Sequence, residues 1–365
     1  MNIIIAPDSF KSTASAPEVA RHLATGIQRV WPEAQITVVP LADGGEGTAA
    51  CFDGVTITLP TTDAAGRLTE ASYVFDDGTT SGLTQAFIDV AAASGLPAVA
   101  DNPVPLTGDT YGTGVLIADA IANGAQRITL GLGGTATIDG GTGILVALGA
   151  PAMNAAGHPL RQGGAALVDF DHFDTAQLNI PAAAAEWVLL TDVSAPATGP
   201  QGAAAVFGPQ KGASETDVEL LDRALATLCE KTGVDPHQPG FGAAGGLPIA
   251  ITALSTIVHG TADHVHILPG ADIVAESVGL DALIADADVV ITGEGSFDHQ
   301  SLLGKVTGMV LSRAQRAGKR AIVVAGALQD KPPAEVLGIE LINDPDVEKQ
   351  LVEAGERIGA ALKAQ

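Results

Sequence analysis

Two carboxylates lie among three glycines in the segment ADGGEGT, residues 42–48, directly after a short apolar run. A tight turn needs only one or two glycines and no acidic residue. Carboxylates are ligands that Mg²⁺ prefers, and glycines allow backbone N–H groups to approach an anion closely. Asp43 and Glu46 therefore indicate a loop that binds an anion through a metal ion. Capping of a helix that begins near Thr48 would explain one of the two acids, but not both.

Other acidic or glycine-rich segments follow predicted strands in the same way. They are APDS (6–9), GLGGTATIDGG (131–141), TDV (191–193) and TGEGSFD (292–298). In open α/β sheets ligands bind beyond the carboxyl ends of the strands. No segment is specific by itself, but together they favour a phosphate group bound through Mg²⁺.

Other kinds of site are less well supported. The spacing of Gly131, Gly133 and Ala136 matches a dinucleotide fingerprint, but it lies in mid-chain and no acidic ribose partner follows at the end of a later strand. The sequence contains no Walker P-loop, no H-E-x-x-H and no G-x-S-x-G motif. His264 and His266 are more typical of a polar strand face than of a metal site, because no third ligand is nearby in the sequence.

Basic residues are scarce, so their positions are informative. Lys11, Lys211 and Lys305 each lie in a segment rich in glycine, proline or serine. A helix that begins in such a segment could direct an ammonium group toward phosphate. The alternative for each is an ordinary solvated lysine.

Charge and composition exclude several classes of partner. The chain has 365 residues and a formal net charge of −24, which would repel a nucleic-acid backbone. Its two cysteines are far apart and do not indicate a disulfide framework. No apolar run reaches the ~18 residues of a membrane helix, and the N-terminus lacks the features of a signal peptide. We expect a cytoplasmic protein with no membrane or nucleic-acid partner; a homo-oligomer remains open.

Strands and helices alternate at both chain ends, and these elements must position the candidate residues. Residues 2–6 and 36–39 are predicted strands, and Ser15 and Glu18 form a capping box for a helix that ends near Val30. Strands at 287–292 and 320–325 and helices at 302–317 and 345–362 repeat this alternation.

The middle of the chain is less regular. Strands at 55–59 and 69–75 alternate like an antiparallel hairpin that turns at Gly66. Further strands are predicted at 83–88, 127–132 and 187–191, and helices at 111–122, 215–232 and 243–254. We therefore predict an α/β fold of two domains. A doubly wound parallel sheet is built from both chain ends (1–60 plus 275–365), and a mixed α/β domain (61–274) is inserted.

Eight segments together resemble the bacterial glycerate kinase family of the glycerate 2-kinase type. In the family's order they are APDSFK (6–11), ADGGEGT (42–48), AAASGL (91–96), YGTG (111–114), GLGGTATIDGGTG (131–143), GAAAVFGPQKGA (202–213), GAAGGL (242–247) and TGEGSFDHQS (292–301). The resemblance implies a flavodoxin-like domain and a second α/β domain, with ATP, Mg²⁺ and D-glycerate meeting in the cleft between them. It also favours 2-phosphoglycerate as the product.

The resemblance and the strand-end positions suggest a role for each candidate residue. A carboxylate accepts the proton of the glycerate hydroxyl, and the candidates are Asp192, Asp43 and Asp8. Substrate-binding candidates are Ser9, Lys11, Lys211, Gly44 and Gly45. Phosphate and nucleotide candidates are Gly133, Gly134, Thr135, Gly293, Gly295 and Asp298. Candidates for Mg²⁺ are Glu46, Asp139 and Glu294.

Two departures from the family pattern concern the exact ligand contacts. Ala195 and Ala197 replace a polar residue and a larger one after Asp192, and Ser296 stands where the family often has arginine. Lys305 or a backbone donor would then contact phosphate instead. Two other functions remain open: a kinase for another small hydroxy acid, and a non-catalytic metabolite sensor on the same fold.

Overall fold

The computed structural model describes residues 1–10, 13–302, 305–341 and 345–364. It divides into two compact units. Unit 1 is Met1–Asp43 with Pro269–Gln365, and unit 2 is Gly44–Leu268. The first boundary lies before residue 60, because the strand that begins at Val55 pairs inside unit 2.

The strands of the described chain are numbered in chain order. They are β1 (Asn2–Ile5), β2 (Gln35–Val38), β3 (Val55–Thr62), β4 (Leu68–Asp76), β5 (Gln85–Asp89), β6 (Arg127–Gly131), β7 (Ala152–Met153), β8 (His172–Phe173), β9 (Glu186–Thr191), β10 (Val265–Pro269), β11 (Val289–Phe297), β12 (Arg320–Leu328) and β13 (Leu337–Glu340).

The α-helices are numbered in the same way. They are α1 (Ala16–Val30), α2 (Val90–Ser94), α3 (Tyr111–Ala122), α4 (Thr142–Ala147), α5 (Ile180–Ala183), α6 (Ala203–Phe207), α7 (Glu215–Thr232), α8 (Pro248–His259), α9 (Gly270–Ser277), α10 (Leu280–Asp286), α11 (Val306–Arg316) and α12 (Val347–Lys363). Among the described helices, none combines the length and the apolar character needed to cross a membrane.

Unit 1 contains a five-stranded sheet in the order β13-β12-β11-β1-β2, and all neighbours run parallel. This is the 2-1-3-4-5 order of flavodoxin-like folds, which confirms the predicted doubly wound sheet. β1 and the first half of β11 are apolar and buried, as strands covered on both faces require.

Helices α1 and α12 pack against each other on one face of this sheet. Glu18 accepts the backbone N–H of Ser15 at 2.9 Å, which confirms the predicted capping box. Gly26 allows the two helices to approach, since a Cβ there would overlap the carbonyl oxygen of Val352 and lie 2.9 Å from the Cα of Gly355.

β11 extends further than the sequence predicts, through the GEG segment to Phe297. Its neighbour β12 continues to Leu328 in register, pairing Thr292 with Val323 and Phe297 with Leu328. The partner strand thus stabilises an extended backbone where the glycines alone indicated a loop.

Unit 2 contains a mixed six-stranded sheet in the order β10-β9-β6-β5-β4-β3. β3 pairs antiparallel with β4, as the hairpin pattern predicts, and β4 pairs antiparallel with β5, whereas β5, β6 and β9 pair parallel. Fully buried side chains such as Trp187, Tyr73 and Ile88 form its core. The carboxyl ends of β5, β6 and β9 therefore lie at one edge.

The helix predicted at 243–254 begins later, at Pro248, and runs to His259. Residues 243–245 form a separate 3₁₀ turn in which Ala244 has a φ of 48°, and Gly246 follows with a φ of 89°. These left-handed residues interrupt the helix, and Pro248 is suited to restart it because its own N–H is not needed there.

The contact between α1 and α12 can be tested with Gly26→Ala. We expect the free energy of unfolding to fall by about 1–3 kcal/mol, because the added methyl group overlaps the backbone of α12. Gln28→Ala, an exposed position of the same helix, should change it by less than about 0.5 kcal/mol. Equal urea midpoints for Gly26→Ala and the wild type would contradict the packing described here.

Candidate active site

A pocket of about 710 Å³ lies within unit 1, a size typical of small-ligand sites. It opens where β1 and β11 adjoin, which is the point at which the strand order of a flavodoxin-like sheet reverses. Six of the residues predicted from the sequence line it: Asp8, Ser9, Asp43, Glu294, Gly295 and Asp298. Lys305 also lines it, whereas Lys11 falls outside the described residues.

Asp8 and Asp43 reach the pocket from adjacent strand ends. The N–H of Asp8 donates to the carbonyl of Gly293 at 2.9 Å, which continues the β1–β11 ladder past the end of β1. The N–H of Leu41 donates to the carbonyl of Pro7 at 3.0 Å, so the exit of β2 follows the exit of β1. Both carboxylates are mostly buried.

Glu294 lies inside β11 and is only 7% exposed. Its Oε1 atom has no hydrogen-bond partner within the described part of the chain. Burial raises the pKa of Glu294, and the hydroxyls of Ser301 and Thr307 oppose that rise. A buried carboxylate oxygen without a donor is costly, so the position favours a cation or a donor supplied by a ligand.

The pocket has a strong excess of negative charge. Asp8, Asp43, Glu294, Asp298 and Glu340 line it together with Lys305. Carboxylates of this kind suit a hard divalent cation that also binds phosphate oxygens and water. In the described ranges, no three His, Cys, Asp or Glu side chains are grouped closely enough to hold a metal by themselves.

Two of the residues predicted to bind phosphate in this unit already have other roles. Oδ1 of Asp298 accepts the N–H groups of Gln300 at 2.8 Å and Ser301 at 3.2 Å, which shapes the turn after β11. Gly293 lies within the sheet, where a Cβ would overlap the carbonyl of Val324. Strand packing thus explains this glycine without a phosphate.

In unit 2, Gly44 and Gly45 of the ADGGEGT segment pack directly on the GLGG loop. The N–H of Gly133 donates to the carbonyl of Gly44 at 2.9 Å. A Cβ on Gly133 would lie 2.6 Å from the Cα of Gly45, and one on Gly44 would lie 2.7 Å from the carbonyl oxygen of Leu190. Close backbone contact therefore explains Gly44 and Gly133, for which the sequence indicated ligand binding.

The exposed tip of this loop is formed by Glu46 and Gly47. The hydroxyl of Thr48 donates to the carbonyl of Gly45 at 2.7 Å and closes the turn beneath the tip. Glu46 is thus exposed to solvent, and its role as a magnesium ligand stays a prediction. Asp192 is also exposed, directly after β9, beside the Leu190 backbone that Gly44 contacts.

Lys211 is buried, with 4% of its surface exposed. Its ammonium donates to the hydroxyl of Thr135 at 3.1 Å and to the carbonyl of Thr137 at 2.8 Å. Burial lowers its pKa to about 7, and the negative charge of Asp139 opposes this. These contacts favour support of the glycine loop over the predicted binding of substrate. The carbonyl of Gly134, whose φ is 75°, accepts the N–H of Leu96.

Asp139 is fully buried and its carboxylate is saturated with donors. It accepts the N–H and the hydroxyl of Thr110 at 2.9 and 2.8 Å, and the N–H groups of Gly141 at 3.1 Å and Gly143 at 3.0 Å. Since these bonds tie the start of α3 to the start of α4, they favour a structural role over the predicted magnesium role.

Two acidic residues of unit 2 were not predicted as part of the site. Asp89 accepts the N–H groups of Gly47 and Ala49 from the ADGGEGT loop and its neighbour. Asp109 is buried close enough to Asp139 for the two charges to interact. The position of Asp89 at the end of a predicted strand was the one available signal.

Ala197, a departure from the family pattern, is fully buried in a core cluster of unit 2.

Comparison with known proteins adds independent findings. A model of the glycerate kinase family matches residues 3–348. Glycerate 2-kinase of Escherichia coli K12 is 39% identical over 90% of this chain and 86% of its own length. Glycerate kinase of Bacillus subtilis 168 is 39% identical over 90% of this chain and 85% of its own. A crystal structure from Salmonella typhimurium LT2, described as a candidate glycerate kinase 2, is 36% identical with a TM-score of 0.81 over 100% of this chain and 98% of that one.

The buried pair Asp109 and Asp139 predicts a pH-dependent stability. Burial, followed by the charge of Asp139, raises the pKa of Asp109 to about 7. The unfolded value is about 3.9, so the native state holds the extra proton between these values. Stability therefore falls as pH rises through this window.

Asp109→Asn removes that dependence. The measured quantity is the free energy of unfolding of the variant minus that of the wild type, obtained by urea unfolding at each pH. This difference should increase by on the order of 3 kcal/mol from pH 4 to pH 8, because the wild type loses stability over that range and the variant does not. The control is the exposed Asp77→Asn, because the Thr79 hydrogen bond lowers the pKa of Asp77. Its difference from the wild type should stay constant between pH 5 and pH 8. A constant difference for Asp109→Asn as well would contradict the assignment.

Proposed function

The chain belongs to the glycerate kinase family, and from this premise we propose that it transfers the terminal phosphoryl group of ATP to D-glycerate in a Mg²⁺-dependent reaction. The pocket of unit 1 is the observation that carries the proposal. Its carboxylates lie at the reversal point of a flavodoxin-like sheet, and a buried oxygen of Glu294 there has no hydrogen-bond partner among the residues that the structure describes. The 2-hydroxyl is the proposed acceptor, since a relative of 39% identity is named glycerate 2-kinase.

The charge of this pocket supports the need for Mg²⁺. A triphosphate would be repelled by the excess of carboxylates unless a cation accompanied it. Glu294 fits a hard cation that phosphate oxygens and water also bind, because its buried carboxylate lies in this cavity. When bound, Mg²⁺ would neutralise charge on the phosphate oxygens. Glu46 at its exposed loop tip is retained as a further candidate ligand.

Other residues of the same pocket suit the nucleotide. Lys305 directly precedes the first turn of α11, where its ammonium and the helix N-terminus both favour an anion. This lysine can take the place of the arginine that Ser296 replaces. An apolar wall for the adenine ring is provided by Phe10, Leu341 and Val347.

Catalysis then depends on a carboxylate that accepts the proton of the glycerate hydroxyl. As this proton leaves, the hydroxyl oxygen bonds to the γ-phosphorus, the bond from that phosphorus to the bridging oxygen breaks, and ADP departs. Asp8 and Asp43 are candidates because they line the pocket, and Asp192 because it is exposed at the end of β9. Positioning and charge neutralisation contribute most of the rate, with proton removal secondary.

The direct test is incubation of the protein with ATP, Mg²⁺ and D-glycerate, followed by phosphorus NMR of the products. We expect ADP and 2-phosphoglycerate, with no turnover after chelation of the metal. Formation of 3-phosphoglycerate would correct the position of transfer. Absence of any phosphoglycerate would overturn the proposed activity.

The catalytic carboxylates can be separated by Asp43→Asn, Asp8→Asn and Asp192→Asn. The variant that lacks the base should lose at least about a hundredfold in kcat while its melting temperature changes little. Asp288→Asn is the matched control, since Asp288 precedes β11 at the opposite end of the same sheet and should retain wild-type turnover. Near-normal rates in all three variants would show that none of these residues is the base.

A further inference from the structure

Asp89 ends β5 and directly precedes α2, yet its side chain does not cap that helix. Instead it accepts the N–H of Gly47 at 2.7 Å through Oδ2 and the N–H of Ala49 at 2.9 Å through Oδ1. The acceptor and its donors are about forty residues apart in sequence, since Gly47 and Asp89 are separated by 42 positions. Only 8% of Asp89 is exposed.

A second anchor holds the other side of the same loop. The N–H of Gly133 donates to the carbonyl of Gly44 at 2.9 Å. The two anchors enclose Gly45 and Glu46, and they leave Glu46 exposed between them. The backbone that carries Glu46 is therefore held on both sides.

The neighbouring strand leaves space for this carboxylate. A Cβ on Gly131 would lie 2.9 Å from Oδ1 of Asp89 and 3.1 Å from the carbonyl oxygen of Gly44. Gly131 does not have a positive φ, so backbone conformation does not require glycine there. The absence of a side chain at Gly131 allows Asp89 to reach the loop.

Burial of an ionised carboxylate is expensive, and a fold that needed only bulk at this position would be better served by a neutral side chain. A carboxylate has one property that an amide lacks: both of its oxygens accept, so it can hold one backbone N–H group on each of two separate atoms. That property matches the two contacts of Asp89.

We propose that Asp89 is a positioning residue that fixes residues 47–49 and thereby aims Glu46 at the ligand of the ADGGEGT loop. The inference rests on the proposed kinase function, because the ligand toward which Glu46 points is the metal–nucleotide or its acceptor. Asp89 itself lies beneath the loop and contacts backbone alone in the hydrogen bonds described here.

The test compares Asp89→Asn and Asp89→Ala with the wild type in two measurements. Amide hydrogen exchange at Gly47 and Ala49 should accelerate about tenfold or more, since charge-assisted bonds are lost. The kcat for phosphoglycerate formation should fall about a hundredfold in Asp89→Ala, with a smaller change in KM. Asp89→Asn should lie between, because its amide retains one acceptor oxygen.

Asp119→Asn is the matched control. Asp119 also holds a distant group of unit 2, as it accepts the hydroxyl of Tyr73 at 2.7 Å. Its loss should leave both the kinetics and the exchange of the Gly47 and Ala49 amides at wild-type values.

A second, independent perturbation is Gly131→Ala. The added methyl group displaces Asp89 without removing it, so the variant should reproduce the faster exchange and the lower kcat. Combined with Asp89→Ala it should add less than the sum of the two single effects, because both changes release the Asp89 anchor, whereas the contact of the added methyl group with the carbonyl of Gly44 persists.

Wild-type turnover in Asp89→Ala would overturn the inference while leaving the proposed kinase function intact. So would a loss of kcat that is matched by a general loss of exchange protection throughout unit 2, since this would show a purely structural role. If the wild type itself forms no phosphoglycerate, the proposed function fails, and unchanged exchange at Gly47 and Ala49 would separately refute the anchor.

Discussion

Unit 2 depends on the contact between two stretches of backbone with no side chain between them. Residues 44–45 lie against residues 131–133 so closely that a methyl group on Gly133 would be 2.6 Å from the Cα of Gly45. The hydrogen bond from Gly133 to Gly44 fixes the register of the two loops. The space at Gly131 that admits Asp89 and the end of β9 both lie beside this contact, and Glu46 is exposed next to it.

Unit 1 is governed by a different constraint, which is charge. A chain with a formal net charge of −24 places several carboxylates in one pocket with Lys305 as their basic neighbour. Such a cavity is unfavourable for an anion by itself and favourable for a cation or a cation–anion complex. The excess of negative charge that would repel a nucleic acid thus favours, in this pocket, a ligand that brings its own positive charge.

Local patterns predicted much of the fold. The periodicity of residues 111–122 and 215–232 gave the bounds of α3 and α7 as the structure has them, and the Ser15–Glu18 capping box marked the start of α1. Such features depend on neighbours three or four positions apart. The extension of β11 was not predictable in this way, because β12 rather than its own residues stabilises it.

The residues of the candidate site also differ in whether local sequence could predict them. Asp8, Asp43 and Glu294 were predicted because each follows or ends an apolar run, and the structure brings them to one pocket. The buried partners of Lys211 and the acceptor role of Asp89 depend on contacts between residues far apart in the chain. A glycine selected for backbone contact is also indistinguishable in sequence from one that binds phosphate, as Gly133 shows.

The strand order of unit 1 has a consequence for biosynthesis. β1 pairs with β2 on one side and with β11 on the other, so its second edge stays open until residue 289 and beyond have left the ribosome. Unit 2 is continuous and is complete once Leu268 has emerged. Synthesis from the N-terminus therefore favours folding of unit 2 before unit 1. Until β11 pairs with it, the isoleucine-rich strand β1 has an open, aggregation-prone edge that chaperones would need to shield.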